Sequence, residues 1–199
     1  MDQVKSAIKE LRCKNAYRHW FVPELAFYSV ITEDAIRGAL AESLIHPSQR
    51  EEVVQKVSQR GKKIFGILVL IDHAAQLSKF IEADQLEDAK LPFKVETLSH
   101  DIQLSKEEAK DFDEKQWELI APTFHRGTLN RRLEEDAVLP FTQDRRIGRG
   151  AFGTVYEAVL DSRHQELNHK FPEKVLSGCS CRNLLVTDIL PSLLGKSSI

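Results

Sequence analysis

Cysteine is scarce in this chain, net charge is close to zero, and no apolar run is long. The three cysteines, Cys13, Cys179 and Cys181, are odd in number and lack the paired spacing of a zinc site, so reduced thiols are expected and no metal ligands are assigned. The formal net charge is −2, with 20 basic against 24 acidic groups over residues 1–140 and 8 against 6 over 141–199. That balance gives no electrostatic footprint for nucleic acid or for an anionic membrane. The most apolar stretch, Ile64 to Ile71, is eight residues long, far short of the roughly 20 that cross a bilayer as a helix. Met1-Asp2 opens a polar, helix-forming segment and not a signal peptide, so a cytoplasmic or nuclear protein is expected. The seven histidines are scattered; no two stand at i, i+4 around a glutamate as in a zinc protease, and the nucleophile elbow of a Ser-His-Asp hydrolase is absent.

Helix signals fill the first part of the chain. Ser48-x-x-Glu51, after Pro47, has the spacing of a capping box, with Val53, Val54 and Val57 on one face and Gly61 at the end. Ser105-x-x-Glu108 repeats the pattern ahead of Phe112, Trp117, Leu119 and Ile120. Thr32 is placed to cap a helix whose Ala35, Ile36, Ala39, Leu40 and Leu44 form an apolar stripe. The run Ile64 to Ile71 continues into Ala74, Ala75, Leu77, Phe80 and Ile81, which favours buried helix over strand.

The most specific signal lies late in the chain. Gly148-Arg149-Gly150-Ala151-Phe152-Gly153-Thr154-Val155 has the pattern G-x-G-x-x-G-x-V. Glycines at this spacing let backbone N–H groups approach phosphate oxygens that a Cβ would keep away. The pattern also fits a dinucleotide-binding turn, which needs a helix to open directly after the loop. Here Thr154, Val155, Tyr156, Glu157, Ala158, Val159 and Leu160 follow, a β-rich composition, and Asp161-Ser162 then signals a turn. Residues 141–147 and 154–160 are therefore predicted to form an antiparallel hairpin closed by the glycine loop, with Pro140 at the start of the first strand.

With these flanks, Ile147 to Ala158 resembles the beginning of a eukaryotic-type serine/threonine protein kinase domain, within a match that covers about 20 contiguous residues. The resemblance implies Mg-ATP as ligand, with Ile147, Gly148, Arg149, Gly150, Ala151, Phe152, Gly153 and Val155 around it. Phe152 would stand at the loop tip and Val155 against the adenine. It extends to roughly 35 residues if Lys170-Phe171-Pro172-Glu173-Lys174-Val175-Leu176 is the next strand. Lys174 is then the candidate phosphate-pairing lysine; the alternative is a solvated loop lysine.

Only 46 residues follow Gly153. They contain neither an H-R-D-x-x-x-x-N sequence to supply a base and a magnesium-binding Asn nor a D-F-G to hold the other metal. Asp111-Phe112-Asp113 looks similar but precedes the glycine loop. Asp188 is the sole acidic residue after Glu173. The compositional shift near the end is what truncation or an altered reading frame would produce.

The expectation is an α+β chain: a helical N-terminal region over 1–137, a partial kinase N-lobe over 138–178 made of a hairpin or small antiparallel sheet, and a poorly ordered tail over 179–199. By resemblance the function is ATP-dependent protein phosphorylation, reduced in this chain to weak or vestigial ATP binding without catalysis. The alternative is a non-catalytic module whose helical region binds a protein partner and whose hairpin is residual. Two strands alone bury no core, so the hairpin should depend on the region before it.

Overall fold

The structure, a computed structural model, describes residues 1–41, 46–125, 133–150, 153–166 and 181–186, with the backbone alone at 149–150, 153–156 and 181–186. Two compact units emerge, Met1–Arg12 with Val22–Ile120, and Cys13–Phe21 with Ala121–Ile199. The chain is α+β, as the sequence predicts. The division falls between Ile120 and Ala121, and residues 13–21 belong with the strands.

The first unit is helical. It contains α1 (Asp2–Leu11), α2 (Glu24–Val30), α3 (Glu33–Ala41), α4 (Pro47–Arg60), α5 (Lys62–Leu70), α6 (Leu77–Glu82), α7 (Val95–His100) and α8 (Lys106–Leu119). Its centre is α5, on which Ile64, Phe65, Ile67, Leu68 and Val69 are all buried. A helix apolar all round must be covered all round, and α1, α4 and α8 each pack on it. A Cβ at Gly66 would lie 2.8 Å from the Phe27 ring and 3.2 Å from Leu119; glycine there lets α2 and α8 close on α5. The N-terminus of α5 is capped from a distance, because the Asp88 carboxylate accepts hydrogen bonds from the Lys63 and Ile64 N–H groups at 2.8 and 3.0 Å.

The helix starts test the local signals. Ser105 and Glu108 form the reciprocal capping box, with Glu108 N–H donating to Ser105 Oγ at 3.3 Å and Ser105 N–H to the Glu108 carboxylate at 2.8 Å. Thr32 Oγ1 accepts from Ala35 N–H at 3.2 Å; Leu44 lies outside the described residues. At α4 the expectation needs correction. The cap is His46, whose ring accepts from Ser48 N–H, and Pro47 occupies the first turn. Proline's fixed φ and missing N–H suit that position, so the helix begins before Ser48 can cap it. Gly61 ends α4 at φ −130°, outside the left-handed region; a Cβ there would meet Leu86 at 2.6 Å, so close packing requires the glycine.

The second unit is built from short strands: β1 (Cys13–Lys14), β2 (Trp20–Phe21), β3 (Phe124–His125), β4 (Phe141–Gly150), β5 (Gly153–Asp161), β6 (Gln165–Glu166) and β7 (Cys181–Val186). β1 and β2 pair antiparallel, β3 and β6 pair parallel, and β4-β5-β7 form an antiparallel sheet. The tail segment 181–186 thus supplies a third strand beside β5. Phe21, Phe124, Val138, Phe141, Ala158, Leu160 and His164 are buried. The rings of Phe124 and Phe141 stack at 5.9 Å, and Phe21 meets His164 edge-on at 5.2 Å.

Candidate functional site

The glycine loop closes a hairpin, as its flanking residues predict. β4 and β5 pair antiparallel with Gly150 opposite Gly153, Arg149 opposite Thr154 and Gly148 opposite Val155. A helix opening at Gly153, which a dinucleotide turn requires, does not follow; a nine-residue strand does. Two register shifts mark β4, one between Phe141 and Gln143 and one between Arg146 and Gly148. The first is bridged by Thr142, whose hydroxyl donates to the Val159 carbonyl at 3.2 Å. The second leaves Ile147 as the extra residue at the base of the loop, 47% exposed. Such a bulge increases local twist and re-aims the residues beyond it.

Among the described residues nothing in the packing asks for glycine at 148, as is also the case at Gly38 in α3. No heavy atom of the described residues lies within 4 Å of where its Cβ would stand, and its backbone is outside the left-handed region. Contrast Gly61 and Gly66, which neighbouring side chains enforce. Space over a strand-borne glycine beside a glycine turn is what close approach of a ligand would use.

Of the basic residues near the loop, Arg145 pairs with its cross-strand neighbour Glu157 at 2.7 Å, which occupies its charge. Arg146 is exposed. Backbone alone is described at Arg149, Gly150, Gly153 and Val155, and Ala151, Phe152 and Lys174 lie outside the described residues. The structure therefore brings Ile147, Gly148, Gly150, Gly153 and Val155 to one end of the hairpin and does not place Lys174. The three-residue look-alike Asp111-Phe112-Asp113 sits within α8, where Phe112 is fully buried and stacks on Phe80 at 5.3 Å; its role is packing.

Behind the loop, the hairpin is anchored by groups that local sequence reading does not single out. Asp161 ends β5 nearly fully buried, accepting from Arg163 Nη2 at 2.7 Å and from Arg163 N–H at 2.9 Å. Burial alone would raise this carboxyl, but the hydrogen bonds and charge of Arg163 outweigh it and hold the group below the usual carboxylate range. Asn15, also buried, accepts from the N–H groups of Tyr17 and His19 at 3.0 and 2.8 Å and donates to the Leu139 carbonyl at 3.0 Å. Only the Asp161-Ser162 turn signal pointed to this end of the hairpin; nothing local announces a partner more than a hundred residues away.

Comparison with protein-family models, with curated proteins and with solved structures found no match. No group of His, Cys, Asp and Glu among the described residues is arranged to hold a metal ion. Among those residues no helix is long and apolar enough to cross a membrane.

Proposed function

We propose that this chain carries a protein-kinase-type glycine loop whose β4–β5 hairpin covers the phosphates of ATP weakly, and that these 199 residues do not transfer phosphate. The observation that carries the reading is strand–glycine turn–strand at Gly148, Gly150 and Gly153, supported by the open space that the described residues leave over Gly148. Backbone N–H groups around the turn would bind phosphate oxygens, Ile147 and Val155 would flank the base, and Lys174 would pair with phosphate.

Phosphoryl transfer depends on positioning and on metal ions and basic groups that meet developing charge. Losing one such electrostatic element costs on the order of 10²–10³ in rate, and the sequence after Gly153 supplies neither the catalytic Asp nor both metal ligands. Calorimetry with Mg-ATP is expected to give millimolar affinity or weaker, and labelled ATP with a general acceptor is expected to give no incorporation. Micromolar binding, or incorporation that Lys174→Ala abolishes, would contradict the reading. A second reading, that the helical unit docks a protein partner, draws on α2, where Leu25 is 77% exposed.

A further inference from the structure

We propose that residues 13–21 form an intramolecular clasp that holds the glycine-loop hairpin in place, with Asn15 as its anchor. The inference rests on the second unit alone and does not use the nucleotide reading. The segment interrupts the helical unit between α1 and α2 and folds as the β1–β2 hairpin. From there it grips both strands of the β4–β5 pair at the end away from the glycine turn. On the incoming side, Ala16 N–H donates to the Phe141 carbonyl at 2.7 Å, Asn15 Nδ2 donates to the Leu139 carbonyl at 3.0 Å, and the Tyr17 hydroxyl donates to the Asp144 carboxylate at 2.7 Å. On the outgoing side, Arg163, held by Asp161, donates to Cys13 Sγ at 3.0 Å, and Phe21 packs on the His164 ring.

Asn15 is suited to its role because its two amide atoms face different tasks. The oxygen gathers the Tyr17 and His19 N–H groups and so shapes the 15–19 turn, in which Arg18 takes φ 67°. The nitrogen reaches out to strand β4. A buried carbonyl left without its donor loses more than the net worth of one hydrogen bond, so one side chain sets both the clasp's shape and its hold. Since β4 runs from Phe141 directly to Gly150, a loosened clasp frees the strand that carries the glycine loop.

The two tasks separate in Asn15→Asp, which keeps the acceptor that shapes the turn and loses the donor to Leu139. Native-state amide exchange of the full chain reads the result. Exchange across 141–147 and 157–161 should rise about tenfold, while amides of α5 and α8 stay unchanged. Tyr17→Phe, which removes the exposed hydroxyl bond to Asp144, should give a smaller rise confined to the same strands. Unchanged strand exchange in both variants would overturn the clasp, as would a rise in Asn15→Asp equally large in α5 and α8. If Asn15→Asp fails to fold, Tyr17→Phe decides alone: faster exchange in β4 and β5 only supports the clasp, and no change in them overturns it.

Discussion

A few side chains carry charge or close contact where no alternative residue would serve, and Asp161 is the clearest. It is nearly excluded from water, its partner Arg163 is partly exposed, and its carboxyl titrates below the ordinary carboxylate value. A lowered pKa in the folded state means that the unfolded chain binds the proton more tightly. Asp161 therefore contributes stability above the usual pKa of about 3.9, and the contribution is lost as pH falls through the lower folded value. Asp161→Asn should cost about 1–3 kcal/mol at neutral pH, less than a fully buried pair because Arg163 retains water. Exchange measurements on β4 and β5 from pH 7 downward should show the gap between wild type and variant constant to about pH 4 and shrinking below it. A gap that widens on acidification would show that the ion pair is not what holds this end of the hairpin.

Among the elements, α5 illustrates what a sequence makes legible. Its eight-residue apolar run and the continuation after it pointed to buried helix, and all seven residues from Ile64 to Leu70 are buried in the helix. Gly66→Ala should destabilise the helical unit by about 1–3 kcal/mol, since the added methyl presses on the Phe27 ring; urea unfolding followed by circular dichroism measures this. No loss would mean that α2 shifts without cost. The capping box at Ser105 and the glycine hairpin were equally readable, because each depends on residues adjacent in sequence. Where a reading missed, the causes differed. Proline at position 47 took the first helical position and moved the cap of α4 from Ser48 to His46, and β1 and β2, two residues each, carry no period a window can detect. At the candidate site, the glycines and Ile147 could be read from spacing, whereas Asn15, Tyr17 and Arg163 gain their roles only through pairing with residues far along the chain.

At the scale of the whole molecule, the helical unit and the strand unit each have their own buried side chains, and the strand unit borrows residues 13–21 from the amino-terminal part of the chain. A small sheet such as β4-β5-β7, which buries little core by itself, gains support from this borrowed segment. The central claim is that the turn at Gly148, Gly150 and Gly153 receives phosphate. It is tested most directly by titrating Mg-ATP into the uniformly ¹⁵N-labelled chain and following its amide resonances. The account predicts that Gly148, Gly150 and Gly153 shift together with millimolar affinity, and that Gly148→Ala, whose methyl meets no atom of the described residues, folds as before yet loses the response. Glycine resonances that stay fixed while ATP is raised well into the millimolar range, or a response that Gly148→Ala leaves intact, would contradict it.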